Sequence, residues 1–203
     1  MISVIDYGAG NLRSVQKALE FLGFSASVTA DRDEILSSDS IILPGVGAFG
    51  DCMKNLKERN LINCIYDAVD NKIPFMGICL GLQLMFEESE ETPGVSGLGI
   101  FKGKIVKIPP QDGLKIPQMG WNSLDFPKKA RIFSGLCENP FVYFVHSYYA
   151  EPTDREIIAA TCSYSKNLTV ALESENIFAT QFHPEKSGNV GLKILKNFAE
   201  VTK

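Results

Sequence analysis

Cys79 in GICLG, with His183 and Glu185 in FHPEKS, are residue types that together perform acyl transfer through a thiolate. A cysteine inside an apolar stretch is ordinarily a small buried hydrophobe. Here Gly77 and Gly81 flank it at two-residue spacing, where an apolar run turns into a helical one. That is a cysteine version of the strand-to-helix nucleophile elbow, in which side chains at the flanking positions would collide with backbone. The elbow sets the sulfur at the start of a helix, whose unpaired N–H groups and dipole favour a thiolate.

A thiolate nucleophile needs a proton donor for its leaving group. The chain has two histidines. His146 falls inside VYFVHSYYA, a strand interior, where a structural histidine is expected. His183 falls where the strand FATQF gives way to a turn stiffened by Pro184, and its ring can reach a cleft. Glu185 lies two positions on. If the backbone stays extended it projects to the same side, with Cα atoms about 6.5–7 Å apart. A carboxylate there accepts the imidazole N–H, fixes its tautomer and favours imidazolium.

GVGAFG, residues 45–50, fits G-x-G-x-x-G between a strand and a helix. A dinucleotide fingerprint would sit in the first βα unit, with an acidic residue about 20 positions on at the end of the next strand. This one follows the third strand, and Asp67 and Asp70 fall inside a helix. The other reading is an oxyanion hole. The ends of strands three and four are neighbours in a parallel sheet, so Gly45–Gly47 would present backbone N–H groups beside the cysteine. GAGNLRS at the N-terminus fits neither this pattern nor a Walker A loop.

The elements that must position these groups are legible from periodicity. ISVIDYG, SASVTA, SIILPGVG and IPFMGIC read as buried strands. They alternate with helical segments: NLRSVQKALEFLG, with Asn11 as N-cap and Gly23 as stop, then a helix over 51–71 and another over 80–88. A short polar segment joins the second and third strands. Apolar strands alternating with helices predict a parallel sheet covered on both faces. In the second half, LGIFKGKIVKI, FVYFVHSYYA, IIAATCSYS and TVALESENIFATQF read as antiparallel strands. GNVGLKILKNFAEVTK closes the chain as an amphipathic helix, and Trp121 is placed in a loop, either as core packing or as a partner surface. The whole is a mixed α/β fold over a single domain, 1–203: a largely parallel, flavodoxin-like central sheet with antiparallel strands in its C-terminal half.

Composition agrees with one globular unit: 203 residues, 45% hydrophobic and 22% charged. A net charge of −4 leaves no electrostatic footprint for nucleic acid, and no basic cluster marks a membrane surface. The first ten residues lack a signal peptide's basic start, and no stretch is apolar enough to span a bilayer. Five cysteines without a CxxC pair favour a reducing cytoplasm over disulfides or zinc. No metal site or cofactor is expected.

GICLGLQLMF at 77–86, PGVGAF at 44–49 and FHPEKS at 182–187 together resemble class I (triad) glutamine amidotransferases. The resemblance runs from residue 5 to the last helix. IDYGAGNLRSV and MGWN resemble, within that family, the branch that feeds ammonia to a (β/α)8-barrel cyclase in histidine biosynthesis. The resemblance implies glutamine as substrate and Cys79, His183 and Glu185 as triad. It implies an oxyanion hole from the N–H groups of Val46 (after a backbone rearrangement) and Leu80. It further implies that Gly45, Gly47, Gln83, Glu91 and the backbone at Ser147–Tyr148 surround glutamine, and that the barrel docks in a heterodimer near Asn11, Trp121, Tyr143 and Lys186. Gln118 stands where that branch often carries histidine. A glutaminase serving another synthase, a free-standing cysteine hydrolase using the same elbow, and a nucleotide-binding regulatory module built on Gly45–Gly50 are the competing readings.

Overall fold

The computed structural model describes residues 1–201. Residues 202 and 203, the end of the expected closing helix and of the expected domain, lie outside the described residues. The first half alternates as the periodicity requires: β1 (Ile2–Ile5), α1 (Leu12–Phe21), β2 (Ala26–Thr29), α2 (Arg32–Ser37), β3 (Ser40–Gly45), α3 (Phe49–Glu58), α4 (Leu61–Asp70), β4 (Phe75–Cys79) and α5 (Leu80–Leu84). The second half is mostly strand: β5 (Glu88–Ser89), β6 (Gly103–Lys107), β7 (Gln118–Ser123), β8 (Phe141–His146), β9 (Tyr148–Pro152), β10 (Ile158–Ser163), β11 (Asn167–Ser174) and β12 (Ile177–Thr180). Helix α6 (Gly188–Ala199) closes the described chain.

In the described residues ten strands form one sheet, ordered β2-β1-β3-β4-β12-β11-β9-β6-β5, with β10 alongside β11. Pairing is parallel from β2 through β12 and antiparallel at β12–β11, β11–β9 and β9–β6. The central strands are apolar without alternation because both their faces are buried. Ile42, Met76, Ile78 and Phe178 pack with α1 and α6 on one face; Ile41, Leu43, Phe75 and Ile177 pack with α2 to α5 on the other. Strands β7 and β8 form a separate antiparallel ribbon, registered Trp121 to Tyr143 and Gln118 to His146.

This is the expected mixed α/β fold, with local departures. The helix expected over 51–71 is two helices, broken at Asn60, whose φ of 57° is a left-handed conformation that asparagine tolerates. Segment 80–88 is helical only to Leu84. The polar stretch after β2 holds α2, started by Asp31, whose side chain accepts the Glu34 N–H. Asn11 makes no side-chain cap on α1. FVYFVHSYYA is two strands in different sheets, divided at Ser147, so His146 ends a strand rather than sitting at its centre. Trp121 lies in strand β7, not a loop.

Candidate active site

The sheet order brings three strand ends together. Gly45 at the end of β3 is registered to Cys79 at the end of β4, and Thr180 at the end of β12 lies beside Ile78. Loops leaving the carboxyl ends of adjacent parallel strands open on one crevice. Here it is a pocket of about 320 Å³ lined by Val46, Gly47, Cys79, Leu80, Gln83, Glu91, Ser147, Tyr148 and His183, with Pro117, Val145 and His146. Nine of the residues expected from the sequence thus share one cavity.

Cys79 stands between β4 and α5 with φ 56° and ψ −111°, a conformation strained for a residue with a Cβ. Its glycine neighbours permit the turn. A Cβ on Gly81 would lie 1.9 Å from the Leu43 carbonyl oxygen, and one on Gly77 would lie 2.7 Å from the Gly81 carbonyl oxygen. Neither position accepts a side chain without backbone movement. The five-residue α5 gives a shorter dipole than the expected nine-residue helix, so the charge that matters at the sulfur comes from elsewhere.

It comes from His183. The Nδ1 atom lies 2.9 Å from Glu185 Oε1, and the two side chains are 2% and 1% exposed. The other ring nitrogen, Nε2, is buried without a hydrogen-bond partner, and the ring lines the same cavity as Cys79, whose sulfur acts on it electrostatically. Burial alone would lower the histidine's pKa. The Cys79 sulfur, and after it the Glu185 carboxylate, favour the charged ring, outweigh burial and raise the pKa from 6.5 to about 10. The ring is therefore imidazolium at neutral pH, a full positive charge beside the sulfur. Glu185 reaches it otherwise than the sequence suggested. The backbone is not extended but turns through a 3₁₀ segment, Pro184–Lys186, which folds the carboxylate back onto Nδ1. The loop is anchored to β8: His183 N–H donates to the Tyr143 carbonyl, Ser187 Oγ donates to the His183 carbonyl, and Tyr143 N–H donates to Ser187 Oγ.

The glycine loop after β3 is tied down from the far side. Glu91 Oε2 accepts the Phe49 N–H at 2.8 Å and Thr92 Oγ1 accepts the Gly50 N–H at 3.2 Å. Those are two of the helix-start donors a nucleotide pyrophosphate would need. Gly47 has φ 103°, and Val46 is exposed at the pocket. Gly45 lies outside the cavity, buried beneath it. Beside Gly45 the hydroxyl of Tyr7, fully buried, donates to the Pro44 carbonyl at 2.8 Å. Tyr7 was not singled out from the sequence, where it is one more aromatic at a strand end. Nor was Gln181, whose amide nitrogen lies 3.7 Å from Cys79 Sγ; its place two residues before His183 was the available signal.

The four remaining residues lie around the mouth rather than inside it. The Trp121 and Tyr143 rings meet edge to face at 6.1 Å on the outer side of the ribbon. Lys186 is exposed on the 3₁₀ turn, and Asn11 precedes α1, which packs against that turn. His146 is buried, and burial lowers its pKa to about 4. No cluster among the described residues has the ligands to hold a metal ion.

Comparisons with known proteins agree with this chemistry. The family model "Glutamine amidotransferase class-I" matches residues 3–201. Over 206 residues the chain is 50% identical to "Imidazole glycerol phosphate synthase subunit HisH" of Syntrophotalea carbinolica, covering 99% of this chain and 100% of that one. The protein of the same name from Methanocaldococcus jannaschii is 49% identical over 99% and 100% of the two chains. Among solved structures, "Crystal structure of glutamine amidotransferase" superposes with TM-score 0.74 over 98% of each chain at 18% identity. "Structure of PurLQS from Thermotoga maritima" does so with TM-score 0.74 at 20% identity, covering 98% of this chain and 96% of that one. At such identity the likeness is one of fold.

Proposed function

The chain belongs to the class I glutamine amidotransferase family, and on that premise we propose that it is the glutaminase subunit of an imidazole glycerol phosphate synthase. It releases ammonia from glutamine and passes it to a (β/α)8-barrel cyclase, which makes imidazole glycerol phosphate and AICAR in histidine biosynthesis. About half of its residues match relatives bearing that subunit's name over their full lengths. The observation that carries the chemistry is the buried His183–Glu185 pair opening on the same cavity as Cys79, with imidazolium favoured there.

In this reading Cys79 attacks the carboxamide carbon of glutamine, and backbone N–H groups of Leu80 and Val46 receive the developing oxyanion. His183 gives its proton to the departing ammonia, leaving a γ-glutamyl thioester. Water, deprotonated by His183, then releases glutamate. Glu185 holds the ring's tautomer throughout, as a carboxylate does in such triads. Gln83, Glu91 and the Ser147–Tyr148 backbone surround the amino-acid end of the substrate, with Gly47 shaping the other wall and Gly45 supporting the loop from outside the cavity. Asn11, Trp121, Tyr143 and Lys186 face the cyclase in a cytoplasmic heterodimer, and ammonia crosses the interface sheltered from water.

The reading is tested by Cys79→Ala in complex with the cyclase. Synthesis driven by glutamine falls to background while synthesis driven by added ammonia persists. Glutaminase activity near wild type in that variant would end the nucleophile assignment.

A further inference from the structure

A buried chain of hydrogen bonds runs from the thiol to the exposed ribbon. It starts at Gln181, whose amide nitrogen lies 3.7 Å from Cys79 Sγ. Gln181 Oε1 accepts from the Gln83 amide at 3.0 Å, and the same Gln83 nitrogen donates to the Tyr148 carbonyl at 3.3 Å. That carbonyl also accepts from His146 Nδ1 at 2.8 Å. On the far side of the imidazole, Nε2 lies 3.0 Å from Gln118 Oε1. Gln118 opens β7 and is 3% exposed; Met119, the next residue, is 66% exposed on the ribbon's outer face, as is Trp121.

The protons along the chain have one consistent arrangement. Buried His146 is neutral at pH 7 and carries a single N–H. The Tyr148 carbonyl can only accept, so that proton sits on Nδ1. Nε2 is then an acceptor, and Gln118 meets it with its amide N–H. This exchanges the two ends of the carboxamide, and the Gln118 oxygen takes the amide nitrogen's place, 3.7 Å from the buried Cys162 thiol. Every link is thereby oriented, and a change at the ribbon end leaves a buried group without a partner.

We infer that Gln118 and His146 are a positioning pair, through which the ribbon fixes the Tyr148 carbonyl and, by way of Gln83 and Gln181, the direction of the Cys79 thiol. Anything docked on Met119 and Trp121 then acts on the nucleophile by moving the strand that carries Gln118. The kinetic arm of the test rests on the glutaminase reading; the other arms do not. A rival account, in which Gln118 only fills space under the ribbon, has stability falling with no change at the thiol.

The test uses the full-length chain and two variants: Gln118→Met keeps length but cannot donate, and Gln118→His restores an N–H donor. Gln118→Met lowers kcat for glutamine hydrolysis about 3- to 10-fold, the scale of one lost hydrogen bond, with KM changed less than twofold. Alkylation of Cys79 by iodoacetamide, read on its own peptide by mass spectrometry, slows in parallel. Gln118→His recovers most of both rates. In a double-mutant cycle with Gln181→Met the two effects are non-additive, as for residues in one network. Wild-type rates in a folded Gln118→Met chain, no recovery in Gln118→His, or an additive cycle overturns the inference. A measurement without variants stands beside these: ¹⁵N shifts of His146 at neutral pH show the neutral Nδ1–H tautomer, and an imidazolium or Nε2–H ring overturns it. If the wild-type chain stays inert toward glutamine even with the ligand-loaded cyclase while alkylation follows the expected pattern, the proposed function falls and the relay stands.

Discussion

Glu185 is a carboxylate withdrawn from water and set against an imidazole that is itself withdrawn from water. Burying charges is costly unless they are paired in good geometry, and the 2.9 Å contact supplies that pairing. With the Cys79 sulfur, which favours the charged ring more strongly still, and against burial, the result is a histidine that holds its proton up to about pH 10, against 6.5 for the free side chain. Its contribution to folding is therefore complete below pH 6.5 and is lost as the pH climbs through 10. The acid that protonates ammonia is lost over the same upper range, so the alkaline limb of kcat/KM for glutamine hydrolysis lies near pH 10. Glu185→Gln keeps a hydrogen-bond acceptor for Nδ1 but removes the charge that favours imidazolium. Its alkaline limb moves down by about one to two pH units, read from a pH–rate profile. A limb that stays in place would mean that Cys79 alone sets the histidine's affinity for its proton.

At the scale of elements, the glycines at the elbow are a packing requirement. The overlap of 1.9 Å at Gly81 is with the backbone of β3, which cannot swing aside as a side chain can. Gly81→Ala therefore forces α5 away from β3 and lowers stability by several kcal/mol, beyond the roughly 1–3 kcal/mol usual for overpacking. Gly94 is the comparison, with φ 87° and open space around it. There alanine costs about 1–2 kcal/mol, from left-handed backbone alone. Thermal unfolding of the two variants measures the difference, and equal losses would mean that the close approach of α5 to β3 is not what Gly81 permits. The elbow was legible in the sequence because its constraints are local: two glycines, an apolar strand before, a helical period after. The break at Asn60 was not, because in the sequence it shows only as a shift of about a third of a turn between the apolar stripes of α3 and α4, and the left-handed backbone that causes it has no signal beyond one asparagine. Helix α2 carried its start signal in Asp31 and Glu34 but was too short for a period to emerge. The strands around His146 and Trp121 were misplaced for another reason: which sheet a strand joins is decided by partners elsewhere in the chain. The pocket survived these errors because most of its lining sits at or next to a strand end, with Gln83 one turn into α5, and those positions depend on register near the site rather than on whole elements.

On the whole molecule, the ribbon presents Met119, Trp121 and Phe141 outward beside the pocket mouth, with 66%, 55% and 57% of their surfaces exposed. Exposed aromatic clusters next to a cleft are interface anchors more often than accidents, and truncating such an anchor typically costs 2 kcal/mol or more. Trp121→Ala accordingly weakens binding of the cyclase about 30-fold or more by calorimetric titration; a Kd within threefold of wild type would take Trp121 out of the interface. Docking there also bears on catalysis, because an oxyanion hole short of one donor loses roughly 100- to 1,000-fold in rate. The Val46 peptide is the donor free to be missing. It sits exposed between Gly45 and Gly47, while its neighbours on either side are held, Pro44 by Tyr7 and Phe49 by Glu91. A peptide so placed turns at small cost in a subunit whose remaining machinery is fixed. The isolated chain then hydrolyses glutamine slowly, and the rate rises by two to three orders of magnitude when the cyclase binds with its nucleotide ligand. Glutaminase assays with the chain alone, with the empty cyclase, and with the ligand-loaded cyclase separate docking from peptide reorientation. A rise complete with the empty cyclase assigns activation to docking on the ribbon alone, and equal rates in all three would remove the switch.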